Sequence, residues 1–470
     1  MPGAGDWPGV RASFVRIGRR TNHLYCESRR KETGILMKRY VLDDCKTALV
    51  LGGGGSRGSY EMGVWQALRE MDVDIHIVTG TSIGAINGAA IAQGDYDMAV
   101  RLWNSIETSK VIDVPINEDA PLEQKVRETY QNFFVNFFKN GGTGVDSLKE
   151  TLALFLDEQK VRASSVTYGL VTIEMDSKIP HELFIADIPQ GKMIDYILAS
   201  ASIYPAFKPH SINDVRYVDG AYHDNLPVKM ALDKGAANVI AVDLDAFGVV
   251  NKETLKLAKR SLYIKSYWNL GPTLVFDHNT IQRNIRLGYL DTLKAYGAYE
   301  GYAYTFLPGF CEKIMPQFTG CLPLEDFLYK SGGGMFDQLF LKSLHKIMEE
   351  RGEQKNHDYE AALVSAELAG EIFGMNCTVI YTYEVWQKRL RQCVAQVPLP
   401  NVPNMAEPNL LDAVIESAQT IVSKQSRTKQ AAVMIREMLR TEATIRPSGS
   451  LTMSPETFLA GLFLAVTNVL

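Results

Sequence analysis

The chain has 470 residues, 46% of them hydrophobic and 22% charged, a balance that suits two globular domains or one large domain with an appendage. A net charge of −5, from 49 basic and 54 acidic residues, argues against a dedicated nucleic-acid binder while leaving room for a local basic face. The six cysteines (Cys26, Cys45, Cys311, Cys321, Cys377 and Cys393) form no CxxC pair, which fits reduced thiols better than a disulfide framework or structural zinc.

Residues 1–45 read as a basic N-terminal extension. Residues 1–14 lack the apolar core of a secretory leader. Residues 1–40 carry nine basic side chains (Arg11, Arg16, Arg19, Arg20, Arg29, Arg30, Lys31, Lys38 and Arg39) against Asp6, Glu27 and Glu32. Two readings stand. One is a solvated arm too polar to pack; the other is an arm drawn to anionic lipid headgroups, where each basic side chain adds about 1 kcal/mol.

The α/β pattern begins at residue 46. Thr47-Ala48-Leu49-Val50-Leu51 reads as a buried strand. The turn Gly52-Gly53-Gly54-Gly55-Ser56-Arg57-Gly58 follows, then a helix through Met62, Val64, Trp65 and Leu68. Ile75-His76-Ile77-Val78 reads as the next strand, leading into Gly80-Thr81-Ser82-Ile83-Gly84 and a helix of small residues over 85–92. A serine between two glycines at such a junction is held on a sharp bend with its hydroxyl exposed, as nucleophilic attack requires. The upstream turn offers successive N–H groups at a helix N-terminus, a place to stabilise an oxyanion. Gly84, Ala85 and Gly88 let the second helix approach the sheet with its dipole facing the site.

Residues 95–145 break the alternation. The aromatic-rich run 130–138 (Tyr130, Phe133, Phe134, Phe137, Phe138) ends at Gly141-Gly142 and reads as a helical insertion packed on the sheet, or as a lid or acyl-chain wall over the site. Further strands are predicted at 167–173, 182–185, 216–218 and 239–243, with helices at 148–157 and 228–234. This alternation predicts an α/β fold with a mainly parallel sheet covered on both faces.

Beyond residue 298 strand signals nearly vanish. Phe336, Leu339, Phe340, Leu344 and Ile347 recur at helical spacing, as do Leu411, Val414, Ile415, Ala418, Ile421 and Val422. Pro398, Pro400, Pro403 and Pro408 mark a loop over 396–408. The apolar run 458–470 is shorter than the ~20 residues of a bilayer span and is interrupted by Thr467 and Asn468. It reads as a packed terminal helix. Residues 298–470 are therefore expected to form a helical region of unassigned role, in a soluble, cytoplasmic chain.

A nucleophilic serine needs a proton acceptor. In an α/β-hydrolase this is a downstream histidine. His181, His210, His223, His278, His345 and His357 follow Ser82, but none stands in an evident catalytic context, although His223 is close to Asp219. Asp219 is the stronger candidate: it ends the short strand Arg216-Tyr217-Val218, and Gly220 lets the chain turn at once. At this point residues 46–297 resemble the patatin-like phospholipases. Three motifs carry the likeness in order: Gly53-Gly54-Gly55-Ser56-Arg57-Gly58, Gly80 to Gly84, and Asp219-Gly220-Ala221. Two further segments support it, Ala199-Ser200-Ala201-Ser202-Ile203-Tyr204-Pro205-Ala206-Phe207 and Asp224-Asn225-Leu226-Pro227.

The resemblance implies a three-layer α/β/α fold and a dyad, with Ser82 as nucleophile and Asp219 as proton acceptor. It implies an oxyanion hole of Gly53, Gly54 and Gly55 N–H groups, with Arg57 anchoring that loop or meeting an anionic substrate group. Gly58, Gly80, Gly84 and Gly220 complete the motifs. The implied reaction is hydrolysis of carboxylic esters of phospholipids or related lipids through an acyl-serine intermediate. No cofactor or metal is called for, nor any nucleic-acid partner, and contact with a membrane surface would be transient. A free aspartate titrates near ~3.9, too acidic to take a serine proton readily, and burial would correct that.

Two rivals remain. Gly53-x-Gly55-x-x-Gly58 between strand and helix also fits a dinucleotide-binding turn, but Asp72 and Asp74 precede the second strand instead of ending it. A non-catalytic or regulatory protein retaining the hydrolase fold is the other.

Overall fold

The alternation of β1 (Thr47–Leu51) shows how the layers form. In the computed structural model, Leu49 and Leu51 face one apolar cluster while Ala48 and Val50 face another, all fully buried. A strand apolar on both sides must lie mid-sheet between two layers of helices. The structure describes residues 45–113, 116–319, 335–351, 357–398, 423–441 and 454–470. The N-terminal basic extension before residue 45, the helical reading of Leu411 to Val422, most of the proline-rich loop, Cys26 and Cys321 lie outside these residues.

The other strands of the main sheet are β2 (Ile77–Thr81), β3 (Thr167–Glu174), β4 (Pro180–Phe184), β5 (His210–Ile212), β6 (Val215–Asp219), β7 (Asn238–Asp243) and β8 (Arg260–Lys265). Their order is β5-β6-β3-β2-β1-β7-β8, with β4 also paired to β3. The run β3-β2-β1-β7-β8 is parallel, and the antiparallel pairs gather at the β3 end. One face is covered by helices that include Ser59–Glu70, Ile83–Gln93 and Met193–Ser200, the other by Val228–Asp233 and the short turn Lys252–Leu257. The fold is three-layered α/β/α with a mainly parallel sheet, as the alternation predicts.

β3 is the template for the site. β2 pairs along it up to Thr81↔Val171, and β6 takes up pairing at the next position, Asp219↔Thr172. β4 overlaps both of these stretches, pairing with β3 from Gly169 to Ile173. A strand has two edges, so β4 must occupy one while β2 and β6 share the other in succession. The end of β2 and the end of β6 therefore meet head-on.

Some boundaries differ from expectation. β2 starts at Ile77 and runs on through Gly80 and Thr81, because parallel pairing with Leu170 and Val171 holds residues that propensity alone assigns to a turn. β5 and β8 carry too short or too mixed a pattern to predict. The aromatic run lies on helix Leu122–Asn140, where Phe134 is 56% and Phe138 80% exposed while Phe133 packs on the core.

Residues beyond 298 build a second apolar core around Trp386, against which Tyr304, Phe306 and Tyr381 pack edge-on at about 5 Å. Helices Phe310–Thr319, Met335–Arg351, His357–Ile372, Tyr383–Ala395, Lys424–Thr441 and Pro455–Val466 belong to this region, with a two-residue strand pair, Thr305–Phe306 and Ile380–Tyr381. The terminal helix Pro455–Val466 is capped by Ser454, with proline in its first turn, and Phe458 through Val466 are all buried. Buried Glu367 accepts from the N–H groups of Tyr302, Ala303 and Tyr304 at 2.7–3.0 Å. The two cores are tied by Trp268 Nε1 to the Ala303 carbonyl (2.6 Å) and by the Tyr267 hydroxyl to Glu371 (2.8 Å). Among the described residues no helix is long and apolar enough to cross a membrane.

Candidate active site

Ser82 stands between β2 and helix Ile83–Gln93 with φ 57° and ψ −122°, a conformation that costs a non-glycine residue about 1–3 kcal/mol. The surroundings enforce it. The Ser82 N–H donates to Ser200 Oγ (2.9 Å), and the Ser200 hydroxyl donates to the Val171 carbonyl (2.6 Å), pinning the bend to β3. The flanking glycines are required by contact: a Cβ on Gly80 would lie 2.2 Å from the Gly84 carbonyl oxygen, and one on Gly84 2.5 Å from that of Leu51.

Asp219 is only 1% exposed. Its carboxylate accepts from the Ala221 N–H (2.8 Å) and lines the same cavity as the Ser82 side chain. Burial pushes its pKa from 3.8 up to about 7, against the pull of the Ala221 N–H and the nearby Ser82 hydroxyl. Gly220 allows the tight exit, since a Cβ there would lie 2.3 Å from the Val171 carbonyl oxygen. The sequence reading of Ser82 and Asp219 thus falls on two side chains that the fold brings together. His223 stands aside, half exposed and 3.6 Å from Glu182.

The glycine loop needs one revision. The Gly53 N–H already donates to Asn225, to both its main-chain oxygen (3.2 Å) and its Oδ1 (3.1 Å). An engaged hydrogen is a poor oxyanion donor, so the expected trio narrows to Gly54 and Gly55. Gly55 has φ 56°, and the Thr273 carbonyl would lie 2.2 Å from a Cβ placed there. Arg57 is committed to main-chain carbonyls: Nε to Gly271 (2.8 Å), and Nη1 to Leu244 (3.3 Å) and Asp245. This is loop anchoring. Gly58 makes room for Ile83, whose Cγ1 would be 2.4 Å from an added Cβ.

Ser82 and Asp219 open onto a cavity of about 110 Å³. Its walls are apolar, including Leu102, Trp103, Leu148, Leu152, Phe207 and Phe276, and Asp219 is the one ionisable side chain among the described residues lining it. Neither Tyr130, Phe133, Phe134 nor Phe138 reaches it, which corrects the acyl-wall reading of the aromatic run. The wall comes instead from helices Tyr96–Ser105 and Asp146–Phe155, whose apolar residues face inward. Phe247 lines the mouth yet is 69% exposed, and it packs edge-on against Tyr222 at 5.5 Å. Among the described residues no cluster of His, Cys, Asp and Glu could hold a metal ion.

The patatin-like phospholipase family model matches residues 49–232. The chain carries a patatin-like phospholipase domain. The match begins within β1 and ends in helix Val228–Asp233, so it contains the glycine loop, Ser82 and Asp219. Patatin-like phospholipase domain-containing protein 7 of Rattus norvegicus is 28% identical over 212 residues, covering 43% of this chain and 14% of that protein. Lysophospholipase NTE1 of Candida glabrata is 26% identical over 288 residues, 60% of this chain and 15% of that protein. The chain thus spans about a seventh of the length of these relatives. The crystal structure of VipD from Legionella pneumophila aligns over 91% of this chain and 92% of its own at 13% identity, with a TM-score of 0.35.

Two residues of the patatin-like domain have positions that the motifs alone do not reveal. Ser200 holds the serine bend, and Asn225 clamps the glycine loop by accepting from the Gly53 N–H and donating from Nδ2 to the Gly53 carbonyl (3.3 Å). Both lie in segments that the family resemblance had marked, and both are buried polar groups, Ser200 at the end of helix Met193–Ser200 and Asn225 in a loop, the pattern of a structural hydrogen bond.

Proposed function

We propose that the patatin-like domain is a lipid acyl hydrolase that cleaves carboxylic ester bonds of phospholipids or related lipids, with Ser82 as nucleophile and Asp219 as its base. The observation that carries this reading is that Ser82 and a buried carboxyl, Asp219, line the same otherwise apolar cavity. The family supports it, as does the name of one relative, a lysophospholipase.

Ser82 Oγ attacks the ester carbonyl carbon as its proton passes to the Asp219 carboxylate. The carbonyl oxygen becomes an oxyanion, and the N–H groups of Gly54 and Gly55 stabilise it. The tetrahedral intermediate collapses, the C–O bond to the alcohol breaks, and the Asp219 carboxylic acid returns the proton to the departing alkoxide. Water then attacks the acyl-serine, giving its proton to Asp219. The second intermediate releases the fatty acid and restores the Ser82 hydroxyl. A carboxylate that titrates near 7 is matched to both roles at neutral pH. The cavity takes the acyl chain, while the exposed Phe247 and Tyr222 rim supports transient contact with a lipid surface.

The test is fatty-acid release from mono- and diacyl phospholipid vesicles by the wild-type chain and by Ser82→Ala. Release that vanishes with Ser82→Ala is expected. No release from any acyl ester by the wild type would favour a regulatory protein that keeps the hydrolase fold.

A further inference from the structure

Behind the acyl cavity lies a second, smaller void of about 10 Å³, bordered by Ala90, Met98, Ala99 and Phe155. Four residues border both spaces: Ile86, Leu102, Trp103 and Leu152. Trp103 is the largest of these and is fixed on two sides. Its Nε1 donates to Asn87 Oδ1 (3.0 Å), and its ring stacks on Phe276 at 6.1 Å and 26°. Asn87 also borders the void, but its Nδ2 is engaged by the Gly58 carbonyl (3.0 Å) and Glu61 (2.7 Å). The void is therefore lined by apolar carbon and by polar atoms already in use, and a hydrocarbon can extend into it without stripping a hydrogen bond.

We propose that Trp103, with Leu152, is the end wall of the acyl site and sets the longest chain it admits. The proposal rests on the acyl hydrolase reading for its ligand class, a single saturated acyl chain. It goes beyond that reading in naming what limits chain length. A rigid indole held by a hydrogen bond and a stacked ring cannot yield by a rotamer change as a leucine would. A chain that reaches it gains nothing from further methylenes.

The experiment uses the full chain carrying Ser82→Ala, so that binding is read without turnover. Saturated fatty acids from octanoate to stearate, each below its micelle concentration, displace a fluorescent fatty acid. In this parent, affinity rises about fourfold per added methylene and then levels off at a limiting length. Trp103→Leu removes the indole. Leu152→Ala opens the same wall while leaving the Trp103–Asn87 bond intact, so it decides the matter if Trp103→Leu does not fold. Either opening should extend the rise by at least about two methylenes, giving the longest ligands about 15-fold tighter binding than in the parent.

An unchanged limiting length in a folded Leu152→Ala protein overturns the proposal, as does a parent that binds no fatty acid. If the wild type hydrolyses no ester while the binding limit still shifts, the hydrolase reading fails and the end wall stands.

Discussion

Asp219 carries opposite consequences for stability and for chemistry. Its folded-state pKa is raised from 3.8 to about 7 by burial, so the fold prefers the protonated acid. The stability this group contributes is present in full below the ordinary carboxylate range and is lost as pH rises towards about 7. The proposed catalysis needs the carboxylate. Ester hydrolysis should therefore climb with pH to a plateau above an apparent pKa of about 7, and a rate profile flat down to pH ~5 would contradict the assigned base. Asp219→Asn removes the buried charge but keeps the shape. It should lower kcat by about 10³-fold or more. The same variant should melt at least ~2 °C above wild type at pH ~8, with the gain shrinking towards pH ~4. Thermal scans at the two pH values check this, and a variant less stable at the higher pH would speak against a carboxylate whose burial outweighs its hydrogen bond.

At the scale of elements, the site depends on β3 receiving β2 and β6 on one edge in succession. Ser200 reads out that register, since it joins the Ser82 N–H to the Val171 carbonyl at the position where the two strands meet. Ser200→Ala leaves the Ser82 N–H without its acceptor, a loss of about 1–3 kcal/mol. Because it acts through Ser82 and touches no substrate, kcat should fall about 10- to 100-fold while KM stays within about threefold. Steady-state kinetics on a soluble ester separate the two, and a rise in KM alone would point to a lining role instead.

This is also where the sequence ceased to be legible. The glycines around Ser82 and after Asp219 announce close contacts that only glycine permits, so both motifs could be read from residue type. The core strands β1 and β7 were plain from their unbroken apolar runs. The shared edge of β3 was not, because register is set by tertiary pairing and leaves no periodic trace. The engagement of the Gly53 N–H by Asn225 escaped for the same reason: an asparagine 172 positions away shows nothing of its partner in the sequence. The aromatic run 130–138 was legible as a helical insertion, but not as a wall of the cavity, since high apolar content says that a helix has an apolar surface but not what that surface meets.

Across the whole molecule, the region beyond residue 298 has its own core yet is fastened to the α/β layers by Trp268 and Tyr267. Glu367 organises this junction by collecting three successive N–H groups just after Gly301. Glu367→Ala would leave three donors without that acceptor, two of them buried, and a destabilisation of about 2 kcal/mol or more is expected in denaturant unfolding. A change below ~1 kcal/mol would mean that water or a neighbour replaces the carboxylate.

The most direct test of the account is covalent. The wild-type chain, Ser82→Ala and Asp219→Asn are treated with a fluorophosphonate ester, and the adduct is located by peptide mass spectrometry. The account predicts one phosphonylated residue, Ser82, in the wild type, no adduct at that peptide in Ser82→Ala, and strongly slowed labelling in Asp219→Asn. Equal labelling of all three proteins, or an adduct on a different residue of the wild type, would contradict it.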